Sequence, residues 1–206
     1  MNGKTMLKSR TYLLTGAALA AVLTLSACTN GTAPNASSES SSAPTATAAF
    51  APADVTFAQM MIPHHEQAVE MSDDILAKNG IDQRILDLAT QIKAAQEPEI
   101  TRLKAWLRSW GTDAASTQGM DGMSGMGDGS DGIMSADDMT ALNNATGADA
   151  GKLYLKQMTV HHEGAVRMAQ LELDEGQNVD AKAMASNIVK SQTDEIGIMK
   201  DILATL

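Results

Sequence analysis

All four histidines of this chain fall in two adjacent pairs, His64-His65 and His161-His162. Each pair sits inside a longer stretch that occurs twice. The first copy reads Met60-Met61-Ile62-Pro63-His64-His65-Glu66-Gln67-Ala68-Val69-Glu70-Met71. The second reads Gln157-Met158-Thr159-Val160-His161-His162-Glu163-Gly164-Ala165-Val166-Arg167-Met168, at a constant offset of 97 residues. Imidazole nitrogen together with thioether sulfur suits copper, and Cu(I) in particular. Matched histidine pairs flanked by methionines therefore point to metal binding, with copper as the metal.

On a helical wheel with Met61 at zero, His64 falls at about −60°, His65 at about +40° and Met71 at about −80°. One face thus carries both imidazoles and both thioethers, and Glu66 and Glu70 fall on the opposite side as solvated charges. The second copy repeats the face with Met158, His161, His162 and Met168. The candidate ligands are Met61, His64, His65, Met71, Met158, His161, His162 and Met168. Both histidine pairs lie about 15–18 Å from the start of their helices, near mid-length, so they can meet across a core. Gln96, Glu99, Gln192 and Glu195 fall at the same level and are candidates to orient the imidazoles by hydrogen bonding. Hard oxygen donors are not prominent on the face itself.

Blander readings compete. Methionine at helical spacing is commonly core filler, which is the reading for Met184 and Met199. A single inward histidine is commonly a hydrogen-bonded core residue, but two adjacent pairs in matched copies weigh against that. Other metal chemistries fit less well. No Glu precedes a histidine by three positions, as bundle di-iron sites require. The H-E-x-x-H pattern of zinc proteases ends in Val69 and Val166 instead of histidine. No Ser or Cys nucleophile is set against a histidine.

The elements that must position these residues read as helices. Asp54 is a candidate N-cap for a helix to about Lys78, with Pro63 expected to kink it. Asn79-Gly80 ends it, and Asp82 can cap a second helix that Gly111 closes. Residues 111–134 form a Gly/Met-rich loop in which Met120, Met123 and Met126 recur every third position. These three could capture Cu(I) without prior folding. Ser135 and Asp138 form a capping box for a short helix to about Asn144. A long helix from about Asp149 to Glu175 carries the second histidine pair, and another runs from about Asp180 to Ala204. The duplication extends to the second helices: Ile92, Gln96, Glu99, Ile100, Leu103 and Leu107 match Ile188, Gln192, Glu195, Ile196, Met199 and Leu203 at an offset of 96. The expected fold is all-α, a four-helix bundle built from two duplicated αα-hairpins. No run alternates with period two, so no sheet is expected.

The N-terminus is set apart. Lys4, Lys8 and Arg10 precede an apolar run that ends in Leu25-Ser26-Ala27-Cys28. This is the layout of a secretory signal over residues 1–27, ending in a bacterial lipobox that would lipidate Cys28. Residues 28–53, rich in Ser, Ala, Thr and Pro, read as a flexible tether, and residues 54–206 as the folded domain. The expected location is the extracytoplasmic face of a bacterial membrane. Cys28 is the only cysteine, which leaves the domain without disulfides, thiolate-bound zinc or iron–sulfur clusters. Without residues 1–27 the chain carries 12 basic and 25 acidic residues, a charge of −13. That balance favours cations and excludes a nucleic-acid footprint.

The doubled His-His-Glu signature, with the Gly/Met loop between its copies, resembles domain-of-unknown-function family number 305, which includes the CopM-type exported copper-binding proteins. The resemblance covers about residues 54–206. It implies a ferritin-like fold and copper binding outside the cytoplasm by Met and His, carried onto the eight candidate ligands. The second copy departs from the first at Gln157, in place of Met60, and at Thr159-Val160, in place of Ile62-Pro63.

The leading expectation is a non-enzymatic lipoprotein that sequesters, buffers or hands on copper, through a metal-transfer partner if it hands it on. One alternative is a bundle metalloenzyme with a redox-active metal near Glu99 and Glu195. The other is an interaction domain whose histidines are structural or sense pH.

Overall fold

The computed structural model describes residues 49–112 and 131–206. The signal segment, Cys28, most of the tether and Met120, Met123 and Met126 lie outside the described residues. Those residues form five helices and no strand: α1 Pro52–Leu76, α2 Gln83–Ser109, α3 Ala136–Asn144, α4 Gly147–Glu175 and α5 Val179–Leu203. None is long and apolar enough to cross a membrane. The all-α expectation holds, and the two hairpins are α1–α2 and α4–α5.

The helix ends follow local chemistry, with shifts from the sequence reading. α1 begins at Pro52, whose fixed φ suits the first helical position. Ala51 is therefore the N-cap and Asp54 the third helical residue, where its carboxylate accepts the Ala51 N–H at 2.5 Å. Before it, Phe50 stacks on Trp110, which stacks in turn on Trp106. Ordered packing thus starts within the stretch read as tether. α1 runs unbroken through Pro63, and α2 through Pro98. Asp82 caps α2 by accepting from the Arg84 N–H. Ser135 and Asp138 form the expected capping box of α3. α4 starts at Gly147, with φ +53°, two residues before the expected Asp149. α5 starts at Val179, one residue before the expected Asp180, and Asn178 caps it, its side chain accepting from the Asp180 and Ala181 N–H groups.

α1 and α4 form the inner pair, each flanked by its hairpin partner. They run antiparallel. Asp54 meets the 177–178 turn after α4, His64 meets His161, and Ser72 meets Tyr154 at 3.1 Å. An approximate two-fold axis thus passes between the two histidine pairs. Symmetric ion pairs brace the outside of each hairpin, Glu66 with Lys104 and Glu163 with Lys200.

The core has two apolar clusters. One gathers Phe57, Met61, Ile62, Leu103, Leu107, Met168, Met184 and Ile188. The other gathers Met71, Ile75, Ile92, Leu142, Tyr154, Met158, Met199 and Ile202. In each of the four long helices a buried polar residue falls between the clusters: the His64-His65 pair, Gln96, the His161-His162 pair and Gln192. The histidines and glutamines form a polar layer sealed by hydrocarbon on both sides.

Candidate metal centre

The layer is built by the antiparallel crossing of α1 and α4. Each adjacent pair splits around its helix, placing one imidazole toward the other inner helix and one toward the hairpin partner. His64 and His161 meet on the axis, their ring centroids 3.6 Å apart and planes tilted by 36°. His65 and His162 point outward to α2 and α5. There His65 Nε2 lies 2.9 Å from Glu99 Oε2, and His162 Nε2 lies 2.7 Å from Glu195 Oε2. All four histidines are fully buried. Glu99 and Glu195 are partly exposed, so each outward histidine is one side chain from solvent. Glu99 also lines a surface cleft of about 220 Å³ with Arg102, Asp180 and Met184.

These bonds fix which nitrogen carries the proton. A carboxylate only accepts, so Nε2–H of His65 and of His162 donates to its glutamate. His64 Nε2 lies 3.0 Å from the Asp131 carbonyl oxygen, another acceptor, and donates to it. All three thus donate through Nε2, which leaves Nδ1 as the second nitrogen of each ring. Burial drives the His64 pKa down to about 3, aided by the neighbouring His65, and lowers His161 likewise, aided by His64. The two axial rings are therefore neutral at ordinary pH, and their lone pairs are available.

Those lone pairs have no partner. Five imidazole nitrogens are buried and unbonded: Nδ1 of His64, His65 and His162, and both nitrogens of His161. The amide oxygens of Gln96 and Gln192 in the same layer are also unbonded. Each orphaned polar group costs about 1–3 kcal/mol. Across five nitrogens that is comparable with the whole stability of an ordinary domain, about 5–15 kcal/mol. Groups left this way call for a ligand. His65 and His162 are each held at Nε2 by a carboxylate, the kind of support that orients an imidazole toward a metal.

The structure brings the imidazoles together but not all eight candidate ligands. Met61 and Met168 pack in one apolar cluster, and Met71 and Met158 in the other. The antiparallel crossing is the reason: residues before the histidines in α1 lie beside residues after the histidines in α4. Among the described residues, no three His, Cys, Asp or Glu side chains are gathered as a metal cluster. The group brought together is the His64–His161 pair, with thioethers above and below. Of the four residues expected at the histidine level, Glu99 and Glu195 hydrogen-bond to histidines. Sequence reasoning missed Asp131, because a backbone carbonyl leaves no signal in residue type.

An all-α duplicated bundle with carboxylate-backed imidazoles at its centre is the class of protein this site defines. Residues 54–203 match the family described as a domain of unknown function, DUF305, and the chain belongs to that family. The chain is similar to a DUF305 protein from Streptomyces coelicolor, at 33% identity and TM-score 0.67, covering 74% of this chain and 91% of that one. It is similar to a DUF305 fragment from Deinococcus radiodurans, at 26% identity and TM-score 0.65, covering 76% and 98%. It is also similar to CopM in its Cu(I)-bound form, at 27% identity and TM-score 0.60, covering 74% and 96%. CopM has also been solved bound to Ag and to Cu(II), and in an apo form. Among curated proteins none matches the chain.

Proposed function

We propose that this chain is an exported, lipid-anchored copper-binding protein that sequesters, buffers or hands on copper without catalytic turnover. Cu(I) is its favoured cargo. The observation that carries this reading is the set of five unpartnered, buried imidazole nitrogens at the bundle centre. Neutral imidazoles with nearby thioethers make a donor set soft enough for Cu(I). The likeness to CopM, solved with Cu(I), Cu(II) and Ag, supports the same metal class. The lipobox ending at Cys28 supports anchoring outside the cytoplasm, where the acidic chain would attract cations.

His64, His65, His161 and His162 would hold the ion. Met61, Met71, Met158 and Met168 would line its approach or complete its ligand shell, and Met120, Met123 and Met126 would supply a weaker capture site. Glu99 and Glu195 hold the outward imidazoles in place. The test is a Cu(I) competition titration against a chromophoric chelator. The wild type is expected to strip the chelator, and a variant with all four histidines changed to Ala is expected to fail. Equal competition by both overturns the reading.

A further inference from the structure

The two motif copies align residue by residue at the offset of 97, so the positions where they differ carry information. Gln67 in the first copy corresponds to Gly164 in the second, and Met60 to Gln157. These two differences serve one segment, residues 131–138, which meets both inner helices and enters α3.

Gly164 lets that segment touch α4. A Cβ at this position would lie 1.7 Å from the Asp131 carbonyl oxygen and 2.3 Å from its carbonyl carbon. These are backbone atoms, and no side chain fits without displacing them. Gly132 is constrained in turn. Its φ of +77° disfavours any residue with a side chain, and a Cβ there would lie 2.5 Å from the Val160 carbonyl oxygen. From the other helix, the Gln67 amide grips the same segment twice. Its Nε2 donates to the Met134 carbonyl at 2.9 Å, and its Oε1 accepts the Met134 N–H at 2.7 Å. Gln157 donates to the Asp138 carbonyl at 2.9 Å and steadies the start of α3. The result of the grip is the Asp131 carbonyl at 3.0 Å from His64 Nε2.

We infer that residues 131–134 are a clamp that fixes His64 as its Nε2–H tautomer, with Gln67 and Gly164 as its positioning residues. The inference deepens the copper reading by making the two halves of the site unequal. His64 is held with Nδ1 as its donor, whereas His161 has no acceptor on either nitrogen and can present either one to an ion. The duplication supplied two like hairpins, and the crossing segment made one axial histidine rigid and left the other adaptable.

The test is ¹⁵N NMR of the imidazoles in the metal-free full chain, where Nδ1 and Nε2 shifts distinguish the tautomers. Wild-type His64 is expected as Nε2–H. Gln67→Ala is expected to mix its tautomers and to weaken Cu(I) binding about tenfold. His162, bonded to Glu195, should stay Nε2–H throughout. Gln157→Ala removes a comparable amide bond at α3 and is expected to leave the His64 tautomer alone. Gly164→Ala should act as Gln67→Ala does, and Gln67→Ala decides the matter if the glycine variant fails to fold. An unchanged His64 tautomer in Gln67→Ala, or Nδ1–H in the wild type, overturns the clamp. A wild type that binds no Cu(I) overturns the copper reading instead, and the tautomer result still decides the clamp.

Discussion

At the residue scale, the site depends on four buried imidazoles, three of them hydrogen-bonded through Nε2 and one, His161, through neither nitrogen. Glu99 and Glu195 each accept the Nε2–H of an outward imidazole and so fix its orientation. Glu99→Leu, which removes the acceptor, is expected to lower Cu(I) affinity about 10–100-fold. Glu99→Gln keeps an acceptor and should recover most of that loss. Competition titrations of the two variants check this, and equal affinities would contradict an orienting role. This much was legible in the sequence. Two glutamates at matching offsets and at the histidine level can be placed by counting along a helix. The thioethers were only half legible. A helical wheel gives direction around an axis but not which end of a partner helix lies alongside. Met61 and Met71 therefore share a face on the wheel but belong to different clusters in the fold.

At the element scale, the start of α1 is fastened to the α4–α5 turn through a buried acid pair. Burial pushes Asp54 up, but the N–H groups of Ala51, Asn178 and Gln177 outweigh it and hold the pKa low. Glu172 has no such donors. Burial first, and then Asp54 beside it, raise its pKa from 4.5 to about 8. In the unfolded chain Glu172 loses its proton near 4.5, and in the native state near 8. Between those values the unfolded state binds fewer protons, so stability falls as pH rises across the window and levels off above it. Glu172→Gln removes that dependence. Its Tm is expected to pull ahead of wild type between about pH 5 and pH 8, by about 2–4 °C for each kcal/mol. Thermal unfolding at several pH values checks this, and a constant gap would contradict it. The sequence pointed to Asp54 as a helix start but misplaced it by one role. Pro52 claims the first helical position, which moves the carboxylate inward to face the far turn. Nothing in residue spacing announced Glu172 as its neighbour, because that contact joins positions more than a hundred residues apart.

At the scale of the whole molecule, the bundle is two copies of one hairpin with their polar positions stacked into a single central layer. That architecture was readable from the 97-residue offset, since neither hairpin can bury its apolar face alone. The layer is costly while its nitrogens stay unbonded, and an ion that binds only the native state stabilises it by mass action. Free ligand at 100 times its Kd contributes about 2.7 kcal/mol. Ag(I), a redox-inert stand-in for Cu(I), is expected to raise the Tm of the wild type but not of the four-histidine variant. Deleting residues 119–127 should leave that shift intact, because the deletion spares all four histidines. Loss of the shift on deletion would move the binding site to the loop.

The most direct test of the central claim is copper K-edge X-ray absorption on the full chain loaded with one equivalent of Cu(I). The account predicts imidazole nitrogen in the first coordination shell, lost when His64 and His161 are both changed to Ala. A shell of sulfur alone, unchanged by those substitutions, would contradict it. The buried histidines would then be structural, and the methionines alone would hold the metal.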